Sequence, residues 1–234
     1  MDKCVHTSDK HYTLHSDELS FSSINENTKY NKNALNSSIW ADNEITWRVD
    51  STYPHIDKME ELIKFAFLES SMITPLRIRK TNHGDAHIVI NWLGKKDDKY
   101  FTSPSILAYA WGPASGLGGN VTMNADVLWL LRKEPLTAKE AKEKGYIENY
   151  SNPTNIIRHY DPLHTLKHEA GGHALGMNHI TDINQRDKSI MFPYYNGLRK
   201  FGEADVNYLQ SLYGKSGIVK TITDTIRSRI ETSL

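Results

Sequence analysis

The residues most able to do chemistry lie in one stretch of twelve residues that holds three histidines and one glutamate. The histidines are His168, His173 and His179, and Glu169 directly follows the first of them. Three neutral imidazoles are a common ligand set for catalytic zinc, and they leave a fourth position open for water. A carboxylate beside the first ligand is placed to act as general base toward that water. The stretch therefore predicts a hydrolytic zinc site.

The interval between the first two histidines is unusual, because it is five residues long and not four. An α-helix turns by about 100° per residue, so an i+5 partner lies about 140° around the helix, whereas an i+4 partner lies about 40° away. A regular helix would therefore point His173 away from His168. Gly171 and Gly172 lie inside the interval, and glycine reaches backbone angles that other residues avoid. We predict a local i→i+5 widening within residues 169–173 that brings the imidazoles together.

The second half of the stretch has the spacing of a helix that ends and turns. Gly176 lies between His173 and His179. A glycine with positive φ would end the helix there and deliver the third imidazole from outside it. Met191 follows twelve residues after His179, and a proline-containing turn comes directly after it.

Together these segments resemble the metzincin zinc endopeptidases, which have a long zinc motif and a methionine turn beneath the metal. Within that clan the closer resemblance is to the matrixins, and it extends over residues 40–214. Further segments are similar to matrixin strands and to the closing helix: residues 45–49, 84–90, 106–111 and 205–214. The resemblance implies an α+β fold of the α/β class. A twisted, mostly parallel sheet with an antiparallel edge strand would pack on an active-site helix and a backing helix, and a C-terminal helical subdomain would follow the third zinc histidine.

The resemblance also implies a role for each site residue. The implied catalytic base is Glu169, and the implied methionine turn contains Met191. The implied zinc ligands are His168, His173 and His179. The pocket for the substrate side chain after the scissile bond would be lined by Pro193 and Tyr195. Extended substrate would pair with the edge strand at Leu107, Ala108, Tyr109 and Ala110. These roles predict a zinc metalloendopeptidase that hydrolyses internal peptide bonds of protein or peptide substrates.

Two features depart from the matrixin pattern. Matrixins hold a structural zinc with a histidine in the edge strand and another in the next strand, where this chain has Tyr109 and Thr122. We therefore predict one catalytic zinc without a structural zinc, and we assign no calcium site. The longer ligand interval is the second departure. It leaves an alternative open, in which the domain is catalytically impaired and serves as a metzincin-like peptide-binding or structural domain.

His164 permits a rival interpretation of the ligand set. His164 and His168 are themselves four residues apart and would share one helical face. That pairing would leave His173 and His179 without a role, so we favour the set that begins at His168.

We predict three segments along the chain. Residues 1–39 are polar and are expected to form a disordered N-terminal extension. Residues 40–214 would form the metzincin-like catalytic domain. Apolar residues recur every three or four positions in residues 215–234, which predicts an amphipathic helical tail docked on the domain.

Local patterns independently indicate an α/β domain. Residues 45–49 and 86–92 are rich in β-formers, and apolar residues between Ile56 and Ala66 recur at helical spacing. Asp161 followed by proline predicts the start of the active-site helix, because aspartate is a good N-cap and proline is tolerated at the first helical position. Residues 133–155 are charged and then rich in Asn and Pro, which predicts a helical or loop insertion before that helix.

Composition fits one small enzyme domain. The chain has 234 residues, 38% of them hydrophobic, and a formal net charge of zero. No basic cluster stands out, so we predict no nucleic-acid partner. Cys4 is the only cysteine, which excludes an intrachain disulfide. The sequence shows no signal-peptide or transmembrane run, and the resemblance implies a secreted or extracellular monomer.

Overall fold

The computed structural model describes residues 3–7, 39–54, 59–82, 84–103, 105–113 and 118–216. The predictions for residues 8–38, for Ile56 and for the helix after residue 216 lie outside these ranges.

A six-stranded sheet forms the centre of the domain. Its strands are β1 (Lys3–Thr7), β2 (Glu44–Val49), β3 (Arg77–Lys80), β4 (Ile88–Leu93), β5 (Ile106–Trp111) and β6 (Val121–Asn124). The strand order is β1-β5-β6-β4-β2-β3. Strands β3, β2, β4 and β6 run parallel, whereas β5 is antiparallel to β6. The predicted mostly parallel sheet with an antiparallel strand is confirmed.

Helices pack on this sheet as predicted. The helices of the described part are α1 (Met59–Ile73), α2 (Ala138–Glu143), α3 (Pro162–Glu169) and α4 (Glu203–Tyr213). The apolar face of α1 is buried against the sheet, and α1 also packs against α3. Lys167 of α3 donates to Glu69 of α1 over 2.7 Å, which ties the two helices together by a buried ion pair. No helix in the described part of the chain combines the length and apolarity needed to cross a lipid bilayer.

The sheet core follows from the alternation of its strands. Ile88 and Ile90 of β4 are fully buried, and Val89 between them is only half-buried. Successive side chains of a strand point to opposite faces, so this pattern places one face of β4 in the core. Burial of each such side chain contributes about 1.5–3 kcal/mol relative to exposure.

The predicted insertion before α3 has a small core of its own. Strand β7 (Leu136–Thr137) pairs antiparallel with β8 (Ile156–Ile157), and α2 begins directly after β7. The side chain of Thr137 accepts a hydrogen bond from the amide of Glu140, which caps α2. Leu130, Leu136 and Ala141 form a separate buried cluster.

The N-terminal strand β1 pairs with β5, the strand that was expected to form the edge of the sheet. β1 pairs antiparallel with β5, with Cys4 opposite Ala110 and Val5 opposite Tyr109. The register shifts between His6 and Thr7. β5 is therefore the second strand of the sheet, and β1 forms its outer edge.

Tyr109 and Thr122, which stand where matrixins carry structural-zinc histidines, lie opposite each other in β5 and β6. The Tyr109 hydroxyl donates to the carboxylate of Asp98, and the Tyr109 ring stacks on Phe101 with 5.6 Å between ring centroids. These contacts tie the loop after β4 to the sheet. The absence of a structural zinc stays a prediction.

Candidate active site

The active-site helix begins where the sequence predicts. The Asp161 carboxylate accepts a hydrogen bond from the amide of Leu163 over 2.9 Å, and Pro162 occupies the first helical position. Arg199 donates to the same carboxylate. All eight residues of α3 are buried, so the helix crosses the interior of the domain.

The α-helical ladder ends at the unusual interval. The amide of Ala170 donates to the carbonyl of Leu166 over 2.7 Å, and the amide of Gly171 donates to the same carbonyl over 3.2 Å. The second bond is an i→i+5 bond of the predicted kind, but it spans residues 166–171 and not 169–173. A 3₁₀ turn, His173–Leu175, then replaces the α-helix. The chain thus accommodates the extra residue by a break in the helix, and not by a bulge within a continuing one.

Neither glycine of the interval could be replaced by a residue with a side chain without a steric clash. A Cβ on Gly171 would lie 2.8 Å from the carbonyl oxygen of Lys167 and 2.9 Å from that of Ala66. A Cβ on Gly172 would lie 2.2 Å from the sulfur of Met191. Gly172 has φ −114° and ψ −80°, outside the helical region. Met191 therefore packs directly against the backbone that links the first two histidines.

The three histidines converge on one point. The Nε2 atom of His173 lies 3.1 Å from Nε2 of His168 and 3.1 Å from Nε2 of His179. The remaining pair, His168 and His179, is 3.2 Å apart at the same atoms. Zinc–nitrogen bonds of about 2.0 Å in a tetrahedron separate two ligand nitrogens by about 3.3 Å. The three imidazoles can therefore hold a metal ion, and they form the only such cluster in the described part of the chain.

The opposite ring nitrogens fix the orientation of two of these histidines. Nδ1 of His168 donates to the carbonyl of Ile190 over 2.6 Å, and Nδ1 of His173 donates to the carbonyl of Met177 over 2.7 Å. In a neutral imidazole this leaves Nε2 unprotonated, with a lone pair that can bind a metal. Two lone pairs 3.1 Å apart repel each other unless a cation lies between them. The donor set therefore fits a bound metal ion.

Burial favours the neutral form of the His173 and His179 imidazoles. Desolvation lowers the pKa of His173 to about 4 and lowers that of His179 well below its usual value. Metal ligation requires unprotonated imidazole, so His173 and His179 are in the binding form at neutral pH.

His164 is not a member of the cluster. Its Nδ1 donates to the carbonyl of Leu198 over 2.7 Å, and its ring lies edge-on to Tyr195 with 4.7 Å between centroids. Burial lowers the pKa of His164 to about 4. The i and i+4 pairing with His168 places the two ring centroids 6.4 Å apart and forms no joint site.

The turn that contains Met191 is held by the carboxylate of Asp205, a residue of the closing helix to which the sequence analysis assigned no role. Asp205 is fully buried, and burial raises its pKa. It accepts hydrogen bonds from the Ser189 hydroxyl and from the amides of Ile190, Met191 and Gly202. The only local sequence signal for this role is the position of Asp205 three residues after Gly202, which is typical of a capping residue at the start of a helix.

Of the expected pocket residues, Tyr195 lies against the start of α3. The Tyr195 hydroxyl accepts a hydrogen bond from the amide of Asp161 over 2.9 Å, and its ring lies edge-on to Tyr160 at 5.1 Å. Pro193 is half-buried two residues before it. Glu169 is fully buried at the last position of α3, next to His168. Leu107, Ala108, Tyr109 and Ala110 lie in β5, and the last three each lie opposite a residue of β1.

Comparison with known proteins places this arrangement in a family. A profile described as matrixin matches residues 39–214, which is well over half of the chain. The chain belongs to the matrixin family. Membership supports a zinc-dependent metalloendopeptidase at the level of the family.

Three matrixin relatives illustrate the degree of similarity. Matrilysin of Homo sapiens is 31% identical over 190 residues, covering 77% of this chain and 60% of matrilysin. Macrophage metalloelastase of Oryctolagus cuniculus is 30% identical over 185 residues, covering 75% of this chain and 34% of the elastase. Interstitial collagenase of Oryctolagus cuniculus is 28% identical over 184 residues, covering 76% of this chain and 33% of the collagenase. The match therefore spans about a third of the length of two of these relatives.

The contact between Gly172 and Met191 generates a first prediction. Gly172→Ala should weaken zinc binding by about 10–100-fold, because the added methyl group displaces the backbone that orients His173. Competition with a chromophoric chelator measures the affinity. Gly84→Ala is the matched control, since a Cβ there meets nothing within 4 Å. Equal zinc affinities in the two variants would contradict the packing constraint.

The buried histidines predict acid sensitivity of the metal-free protein. Each of His164 and His173 has a folded pKa of about 4, against about 6.5 when unfolded. Between these values the unfolded chain binds a proton that the folded chain does not, so the free energy of unfolding falls as the pH falls from 6.5 to 4. The slope is about 1.4 kcal/mol per pH unit for each group.

Urea unfolding at several pH values, with zinc chelated, measures this loss. His164→Asn retains a donor for the Leu198 carbonyl but does not titrate. Its free energy of unfolding should therefore depend less steeply on pH, by about 1.4 kcal/mol per pH unit, which corresponds to one proton. Identical slopes in the variant and the parent would rule out His164 as a source of the acid sensitivity.

Proposed function

We propose that this matrixin is a zinc metalloendopeptidase that cleaves internal peptide bonds, with His168, His173 and His179 as the zinc ligands. The convergence of the three Nε2 atoms within 3.2 Å is the observation that carries the proposal. Bound zinc supplies Lewis-acid chemistry, which polarises the scissile carbonyl and acidifies water. The protein residues supply the proton transfer and hold the peptide.

Glu169 is the proposed general base. It directly follows the ligand His168 and is fully buried, so its carboxylate acts in a water-poor environment. The carboxylate would accept a proton from the attacking water and deliver it to the amine of the leaving peptide. Glu169 is the last residue of α3, so the helix still fixes its backbone just before the glycines of the ligand interval.

β5 is the proposed binding strand for an extended substrate. β1 pairs antiparallel with β5 over Lys3–Thr7, which supports the idea that this edge accepts a strand in that direction. Main-chain hydrogen bonds would hold the peptide, and these bonds are independent of its sequence. Side-chain selectivity would then depend on the pocket beside the zinc ligands.

Pro193 and Tyr195 are the proposed pocket wall. Tyr195 is held by the Asp161 amide and packed by the rings of Tyr160 and His164, so the wall is aromatic and rigid. Such a pocket favours a medium or large apolar substrate side chain, at about 0.8 kcal/mol per buried methylene. We also propose an extracellular protease, because one similar protein is named interstitial collagenase. The monomeric state stays a prediction.

A catalytically impaired peptide-binding or structural domain is the alternative. It rested on the expectation that the extra residue disables the ligand geometry. The 3.1 Å separation of the His168 and His173 Nε2 atoms favours the catalytic proposal over this alternative.

Glu169→Gln should lose peptidase activity by about 10²–10⁴-fold and retain zinc, because the base is removed and the ligands remain. Cleavage of a quenched fluorescent peptide library, with and without chelator, measures activity, and elemental analysis measures bound metal. Glu148→Gln, the same change at an exposed residue of the insertion before α3, tests whether loss of a carboxylate alone has this effect. Full activity in Glu169→Gln would refute the proposed base.

The pairing of β1 with β5 yields a kinetic prediction. A chain lacking residues 1–7 should show a KM several-fold lower with unchanged kcat, because substrate no longer competes with β1 for the same backbone groups. A peptide of residues 1–7 added in trans should then inhibit competitively. The same peptide with Val5→Pro should inhibit less, since proline removes a strand amide. A KM that is indifferent to the truncation would show that substrate does not use β5.

A further inference from the structure

The backbone between the second and third histidines lies outside the α-helical ladder of α3. The 3₁₀ turn His173–Leu175 ends at Gly176, which has φ 89° in the left-handed region. A continuing α-helix would pair the carbonyl of Ala174 with the amide of Asn178. Here the chain turns away instead, and buried backbone groups without a partner are costly.

Aromatic side chains from distant elements supply the missing partners. Trp40 Nε1 donates to the carbonyl of Ala174 over 2.9 Å. The Tyr213 hydroxyl donates to the carbonyl of Leu175 over 2.9 Å. The Tyr208 hydroxyl accepts from the amide of Asn178 over 3.2 Å. Trp40 precedes β2, and both tyrosines lie on α4, so these hydrogen-bond partners come from the two ends of the matrixin domain.

Trp40 and Tyr213 also hold each other. The amide of Trp40 donates to the Tyr213 hydroxyl over 3.2 Å. The Trp40 ring packs against Gly119, where a Cβ would lie 2.9 Å from the indole and 3.1 Å from the Ala174 oxygen. It also meets the ring of His87 edge-on, with 5.2 Å between centroids. The indole is therefore fixed on the sheet side as well as on the ligand side.

We propose that Trp40 and Tyr213 are positioning residues for the metal ligand His173. This inference rests on the proposed zinc site. The break at Gly171 and Gly172 separates His173 from the α3 ladder, so the helix does not fix its backbone. The two aromatic donors hold the next two carbonyls in place of the helix, and the His173 imidazole is thereby preorganised on the metal.

Removal of either donor should weaken zinc binding. Trp40→Phe and Tyr213→Phe each keep a ring and remove one hydrogen-bonding group. Each should lower zinc affinity by about 10–100-fold, as loss of an outer partner of a ligand commonly does. The readouts are chelator competition for zinc, the visible absorption of the cobalt-substituted protein, and urea unfolding of the metal-free protein.

Two variants serve as matched controls, because each removes an indole N–H or a tyrosine hydroxyl that does not bond the backbone next to His173. Trp129 Nε1 donates to the carbonyl of Asn124 over 2.8 Å in the core, so Trp129→Phe removes an equivalent indole donor. Tyr53 hydrogen-bonds the backbone of Trp129, so Tyr53→Phe removes an equivalent hydroxyl. Both controls should lose stability and keep the zinc affinity and the cobalt spectrum of the parent.

The outcomes separate this inference from the proposed function. Failure of the parent protein to bind zinc would refute the proposed function, and the inference with it. A parent that binds zinc without cleaving peptides would refute only the catalytic part, because the affinity measurements still apply. Parent-like zinc affinity and cobalt spectra in Trp40→Phe and Tyr213→Phe would overturn the inference. If Trp40→Phe does not fold, Tyr213→Phe decides by itself, since it removes a single oxygen atom.

Discussion

The five-residue interval between His168 and His173 is the constraint on which the site depends. Two imidazoles that far apart on a regular helix would diverge by about 140°, yet their Nε2 atoms lie 3.1 Å apart. The helix ends at Glu169, and two glycines carry the chain through a gap bounded by backbone and by the Met191 sulfur. Because that gap admits no side chain, the positions of the histidines and the packing of Met191 depend on each other.

Hydrogen bonds connect this arrangement to the closing helix. His168 donates to the carbonyl of Ile190, and the amide of Ile190 donates to Asp205 over 2.8 Å. A buried carboxylate is costly unless its oxygens are hydrogen-bonded, and Asp205 has four donors from the turn and its own helix start. His168, the first proposed metal ligand, is thus oriented from α4 through two hydrogen bonds, and we propose that Trp40 and Tyr213 orient the second, His173.

Local signals in the sequence predicted the elements but not their long-range partners. Asp161 and Pro162 located the start of α3, and Gly176 marked the turn toward His179, because capping and positive φ depend on a few neighbouring residues. The hydrogen bond of Trp40 to Ala174 spans 134 positions, and no pattern near either residue indicates it. The pairing of β1 was equally hidden, since Lys3–Thr7 lacks the alternating hydrophobicity by which strands are recognised.

The position of β1 follows from a general problem of sheet edges. An uncovered strand presents unpaired amides and carbonyls that invite association with other chains. A protease of the proposed kind needs such an edge, because main-chain pairing is how an extended peptide would be held. A strand of five residues with a register shift near its end covers the edge while pairing over a short length. Short pairing limits the free energy that a substrate must overcome to take its place, so protection of the edge and access to it are compatible in one sheet.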